Sequence, residues 1–259
     1  MKLPHRRIGT GTPLVVLNGF AATKDDWDPT FLAHLASEYE LVVLDSRGMG
    51  ESSDDGGDFT IEDLAEDVAS LIQEIGLGRP AVLGWSMGGY VALALALRHP
   101  DLVERLVLLS TSAGGEMATL ADEAVRERLR DLSGTPREQA TRLISLLFPP
   151  ERAPEIDAKF GEVVAAARAA LPAEVVERQW AAMEAWERGD LGQDVHEVAC
   201  PALIATGEED VVLPPANALA LALAIPGSWL ARFPRCGHGF MADHPQALAR
   251  LIVTFLSAP

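Results

Sequence analysis

The chain has 259 residues, is 48% hydrophobic and carries a formal net charge of -17 at pH 7. That much apolar material excludes an extended disordered chain and is enough for one large core. The negative balance excludes nucleic acid and an anionic membrane surface as partners, and the acidity itself is read as solubility. The longest apolar runs, 91–97 and 216–225, fall short of the ~20 residues needed to span a bilayer. The basic N-terminus is not followed by an apolar segment with a cleavage site, so a cytoplasmic location is expected.

In chain order, the segment 3–13 around Gly9-Thr10-Gly11 is the place for an early antiparallel hairpin. Apolar β-type runs follow at 14–18, 41–45, 81–84, 106–110, 202–206 and 229–233. Helical patterns lie at 28–37, 61–75, 87–99, 215–224 and 245–257. The alternation predicts an α/β fold with a mostly parallel central sheet and helices on both faces. The strand runs are apolar without alternation, as strands covered on both sides require. Residues 115–198 break the rhythm, with helical patterning and no β-like run. Thr135-Pro136-Arg137-Glu138 has capping-box spacing with proline at the first helical position, and Phe148-Pro149-Pro150 stops that helix. Two more helices fit 154–171 and 172–188, with Gly189 as terminator. Because no flexible linker flanks this insertion, it is read as a helical cap over a core made of 1–114 and 199–259. Cys200 and Cys236 fall just before one strand and just after the next, so neither a disulfide nor a metal site is expected.

The chemistry centres on Gly84-Trp85-Ser86-Met87-Gly88, which follows the run Ala81-Val82-Leu83 and opens an apolar helix. This is the layout of a nucleophile elbow, a tight strand-to-helix turn that presents a serine. A serine hydroxyl needs a base, and the base needs an orienting acid. In such an architecture both follow the serine, each in a loop after a later strand. Asp210 stands in Gly207-Glu208-Glu209-Asp210 after one strand, and His238 between Gly237 and Gly239 after the next. A loop carboxylate is ordinarily just solvated, so Asp210 is singled out by the company it keeps. His238, flanked by glycines, is unlike a core histidine. Acyl transfer also needs two N–H donors for the oxyanion. Met87, after the serine, supplies one and Phe20, in the loop Asn18-Gly19-Phe20-Ala21, the other.

These motifs together resemble the α/β-hydrolase superfamily from about Gly9 to Leu256. Asp45-Ser46-Arg47-Gly48-Met49-Gly50-Glu51-Ser52 is similar to its D-x-R-G-x-G-x-S loop, Gly207 to Pro214 to its acid-bearing G-x-x-D-x-x-x-P, and Gly237-His238 to its histidine loop. The resemblance implies the α/β-hydrolase fold and a Ser86–His238–Asp210 triad acting without cofactor or metal on a small molecule. It does not specify an oligomeric state. One position departs: Asn18-Gly19 stands where the family usually has His-Gly, and asparagine can donate and accept in a similar place. The glycines of the D-x-R-G-x-G loop do not make a dinucleotide site, because Ser53 holds the third-glycine position and an acidic turn follows.

Three branches of the family fit: hydrolysis of a carboxylic ester, lactone or thioester; cofactor-free haloperoxidase or perhydrolase chemistry; and carbon–carbon bond hydrolysis. The elbow is similar to that of pimeloyl-carrier-protein methyl ester esterases and of enol-lactonases. A different class, a non-catalytic small-molecule sensor on the same fold, is separated from these by turnover. Trp85, Phe148, Trp180 and Met183 are candidates for an apolar substrate pocket, the last two three residues apart on one predicted helix.

Overall fold

A computed structural model describes residues 3–189 and 191–258. Met1, Lys2 and Pro259 of the expected core and Asp190 of the expected cap lie outside the described residues. Seven strands form one sheet: β1 (His5–Ile8), β2 (Thr12–Leu17), β3 (Tyr39–Leu44), β4 (Ala81–Trp85), β5 (Leu106–Leu109), β6 (Ala202–Gly207) and β7 (Trp229–Phe233). Their order is β1-β3-β2-β4-β5-β6-β7, antiparallel at β1 and parallel elsewhere.

The segment 3–13 does not close into a hairpin of its own. β1 pairs with β3, from His5 opposite Leu44 to Ile8 opposite Leu41, and not with β2. Composition explains this. Leu14-Val15-Val16-Leu17 is apolar on both faces and is buried between β3 and β4, whereas His5-Arg6-Arg7 is polar and suits an edge.

Successive strand residues feed opposite faces of the sheet, as the two-residue period demands. Val15, Leu17, Val82, Leu106 and Leu108 pack with α2 (Ile61–Glu74) and α3 (Met87–Arg98). Leu14, Val16, Leu83, Val107 and Leu109 pack on the other side with α1 (Pro29–Ala36) and α10 (Pro245–Leu256). α2 starts with a complete Thr60–Asp63 capping box, which satisfies two donors at its N-terminus. α8 (Ala216–Ala224) and the short α9 (Phe240–Asp243) follow β6 and β7. No helix among the described residues is long and apolar enough to cross a membrane.

Between β5 and β6 the described residues form four α-helices, α4 (Glu123–Arg130), α5 (Pro136–Leu147), α6 (Ala153–Ala169) and α7 (Ala173–Arg188). The Thr135–Glu138 capping box opens α5. Val175, Ala182, Met183 and Trp186 of α7 join the same apolar cluster as β2 and α3, so this helix packs directly on the core. Arg178 adds an ion pair to Asp54 at 2.5 Å and a bond to Gly57 O at 2.6 Å.

Both cysteines are free and buried. Burial pushes the Cys200 thiol up, and burial aided by Asp243 and Glu209 pushes the Cys236 thiol up to about 11. At pH 8 a thiol of pKa 11 is thiolate in only about one molecule per thousand. Native protein at pH 8 is therefore expected to leave both thiols unreacted with Ellman's reagent over minutes, and denatured protein to release two. Rapid reaction of the native chain contradicts the burial of these side chains.

Candidate active site

Each of the expected triad and oxyanion residues lies beyond the carboxyl end of a strand. The oxyanion loop 18–21 follows β2, Ser86 follows β4, Asp210 follows β6 and His238 lies in the loop after β7. β2 and β4 are neighbours from which the chain winds outward in opposite directions, so Phe20 and Ser86 flank the switch point where open α/β sheets form crevices.

The elbow is sterically tight. Ser86 sits at φ 57°, ψ -123°, a left-handed conformation that costs a serine about 1–3 kcal/mol and persists only when its surroundings impose it. Three contacts do so here. Ser86 N–H donates to Leu109 O at 2.9 Å, Ser86 O accepts from Gly89 N–H at 2.8 Å, and Thr111 Oγ1 donates to Ser86 O at 2.8 Å. The turn also needs close backbone approach. A Cβ at Gly84 would lie 2.2 Å from Gly88 O, and one at Gly88 only 2.3 Å from Leu17 O.

Asp210 and His238 form a buried pair. His238 Nδ1 lies 2.8 Å from Asp210 Oδ2, with the two residues 2% and 3% exposed. The other carboxylate oxygen, Oδ1, accepts from Val212 N–H and Leu213 N–H, each at 2.9 Å. With both oxygens accepting, the carboxylate is fixed in direction, and the imidazole proton resides on Nδ1. That leaves the Nε2 lone pair free. The two loops are also tied through their backbones: Glu209 N–H donates to Cys236 O at 2.8 Å. Leu147, at the end of α5, accepts from Gly239 N–H at 2.9 Å, so the helical insertion braces the histidine loop.

Ser86 and His238 are not hydrogen-bonded to each other. Trp85 connects them instead. It precedes Ser86, its Nε1–H donates to His238 O at 3.1 Å, and its ring centroid lies 5.3 Å from the imidazole.

The oxyanion loop passes beside the serine, with the Cβ position of Gly19 lying 3.3 Å from Ser86 Cβ. Asn18, the departure from the family pattern, is a buried brace: Nδ2 donates to Leu44 O at 2.9 Å and Oδ1 accepts from Trp27 Nε1–H. Among the described residues neither Phe20 N–H nor Met87 N–H has a protein acceptor, and Met87 stands at the first position of α3, where N–H groups have no intrahelical partner. The next residue, Ala21, has φ 50° and donates its N–H to Gln179 Oε1 of α7 at 2.9 Å.

The D-x-R-G-x-G loop holds this region from the other side. Buried Asp45 accepts from Lys24 N–H and Lys24 Nζ, both at 2.7 Å. Burial works to lower the Lys24 pKa, but its bonds to Asp45 and Glu51 outweigh that and raise it. Gly50 (φ +54°) packs on the same carboxylate, a Cβ there falling 2.3 Å from Asp45 Oδ2. Replacing Asp45 with alanine leaves Lys24 Nζ with only the exposed Glu51 as partner and takes the acceptor from Lys24 N–H, which is expected to cost about 2 kcal/mol. Urea unfolding checks this; a midpoint unchanged from wild type contradicts it.

The four pocket candidates occupy different places. Trp180 meets Phe20 edge-on with ring centroids 5.5 Å apart, and both border a cleft of about 400 Å³ whose other walls are Leu132, Val176 and the charged Glu127, Arg130, Asp131 and Glu177. Trp85 packs between Trp27 and His238. Phe148 packs with Ile144 and Ile156 against the glycine after His238, and Met183 is in the main core cluster. Gln179 and Thr111 were not singled out by sequence. Gln179 carried a readable signal, being, with Glu187, polar on a buried stripe otherwise made of Val175, Val176, Ala182, Met183 and Trp186.

Residues 12–245 match the family model described as the alpha/beta hydrolase fold, and the chain belongs to that family. It is 28% identical over 233 residues to a protein of Klebsiella pneumoniae (strain 342) that bears the name of a carbamate hydrolase, RutD, with 88% of this chain and 85% of that one covered. It is 28% identical over 244 residues to a pimeloyl-[acyl-carrier protein] methyl ester esterase of Nitrosomonas europaea, covering 92% and 93%. Among solved structures, a thermophilic esterase from Thermogutta terrifontis superposes with a TM-score of 0.82 at 30% identity, covering 98% and 92%.

Proposed function

We propose that this protein is a serine hydrolase that cleaves a carboxylic ester, lactone or thioester with a small to medium apolar acyl group, through an acyl-enzyme on Ser86. The observation that carries the proposal is the buried Asp210–His238 pair joined through Trp85 to a strained serine at the same sheet edge. His238 Nε2 takes the Ser86 proton as the hydroxyl oxygen attacks the acyl carbon, and Asp210 stabilises the imidazolium that results. The N–H groups of Phe20 and Met87 receive the oxyanion. His238 then protonates the leaving group, and a water activated by the same imidazole releases the acid. A serine–histidine bond that closes only with substrate in place is common for such pairs.

The esterases of Nitrosomonas and Thermogutta support ester cleavage, and the apolar Phe20–Trp180 side of the cleft fits an apolar acyl group. A second reading, carbamate hydrolysis, is favoured by the RutD likeness, since a carbamoyl carbon would meet the same groups.

The test is a panel of p-nitrophenyl esters of increasing acyl length beside a carbamate, with peroxide and bromide arms for perhydrolysis. Intact-mass analysis after rapid quenching is expected to find one acyl group, and peptide mapping to place it on Ser86. Turnover by wild type no faster than by Ser86→Ala would favour the sensor alternative.

A further inference from the structure

Gln179 is fully buried, and only one end of its carboxamide is satisfied. Ala21 N–H can only donate, so the atom it meets at 2.9 Å is the carboxamide oxygen and not the nitrogen. The amide Nε2 is bonded to the same carbon, and among the described residues it has no hydrogen-bond partner. It therefore lies beside the oxyanion loop, whose Gly19 approaches Ser86. The neighbouring side chain repeats the pattern: Trp180 packs on Phe20 and its buried Nε1–H also lacks an acceptor.

Bracing the loop explains the oxygen of Gln179 but not its nitrogen. An unpaired buried donor is costly, and an acceptor-only side chain would have avoided that cost. A donor held unsatisfied next to a reacting centre has a use when the substrate brings the acceptor.

We propose that Gln179 is a specificity residue whose Nε2–H donates to a second oxygen acceptor on the substrate, so that the preferred substrates are esters or lactones carrying a carbonyl or carboxylate oxygen near the scissile bond. This rests on the serine hydrolase reading and narrows its substrate class. The acyl carbon meets Ser86 and the oxyanion donors, while the second oxygen meets the far side of the same loop through Gln179.

Matched pairs of esters test this, read by pH-stat: methyl 4-oxopentanoate against methyl pentanoate, and 2-oxopropyl butanoate against propyl butanoate. In wild type, kcat/KM for the oxo ester of at least one pair is expected to exceed that of its plain partner by about tenfold or more, the discrimination one added hydrogen bond supplies. In Gln179→Met, and in the isosteric Gln179→Glu assayed above pH 8, that ratio is expected to fall to within twofold of unity. Misplacement of the oxyanion loop slows both members of a pair alike, so the ratio separates recognition from bracing. A wild-type ratio near unity in both pairs, or a ratio kept by either folded variant, overturns the proposal while Ser86-dependent turnover leaves the hydrolase reading standing. Absence of Ser86-dependent turnover of any ester removes both.

Discussion

Ser86→Ala is expected to lower kcat/KM for a p-nitrophenyl ester by about 10^4-fold or more, with no acyl-enzyme formed. The size follows from the proposed roles: without the hydroxyl, the buried His238–Asp210 pair has nothing to activate but water, and the oxyanion donors have no covalent intermediate to hold. Asp210→Asn is expected to come close to the same loss. An asparagine oxygen can still take the Val212 and Leu213 N–H bonds made by Asp210 Oδ1. Its amide then faces the imidazole as a donor, which selects the tautomer with the proton on Nε2, and that nitrogen can no longer accept from serine. The two losses should not multiply in the double variant, because the residues act as one unit. Steady-state kinetics with thermal melting decides the matter. A Ser86→Ala protein that melts like wild type and keeps more than a tenth of its activity would remove the serine from the reaction.

Gly88→Ala is expected to cost about 3 kcal/mol of stability. The added methyl would lie 2.3 Å from Leu17 O and 2.6 Å from Asn18 O. Both are backbone atoms at the end of a central strand, so relief requires moving β2 or the elbow helix, and either displaces the oxyanion loop. Gly78→Ala is the control. Gly78 has a left-handed φ of +69°, which Gly88 does not, and nothing lies within 4 Å of its Cβ position. That change carries only the conformational cost of about 1 kcal/mol. At roughly 2–4 °C per kcal/mol for a chain of this size class, Gly88→Ala is expected to melt about 6–12 °C below wild type. Equal melting temperatures for the two alanine variants would contradict the crowding at the elbow.

Local chemistry explains which features were readable in the chain. The inner parallel strands are runs apolar on both faces, which suits strands covered on both sides, whereas β7, with Arg232, is an exposed edge strand. The elbow was readable because close backbone packing at Gly84 and Gly88 leaves no room for a Cβ. The α5 start was readable because Thr135 and Glu138 satisfy each other's backbone donors within one turn. Asp210 and His238 were found because each lies in a loop directly after a strand of the same sheet. Parallel strands bring their carboxyl ends to one edge, so residues far apart in sequence were already tied to one place.

The amino-acid order by itself determined the α/β architecture, the helical insertion between β5 and β6, and the three side chains proposed to react. Only the tertiary structure decided that β1 leaves β2 for the outer edge of β3, that Trp85 bridges Ser86 to His238, and that Phe148 and Met183 pack in apolar clusters while Trp180 borders the cleft. It also decided that Gln179 meets Ala21 across 158 positions of chain. Periodicity and sterics act between near neighbours and are written in consecutive residues. A hydrogen bond between a helix of the insertion and a loop of the core depends on how two separately specified surfaces dock, and nothing local to either one encodes that.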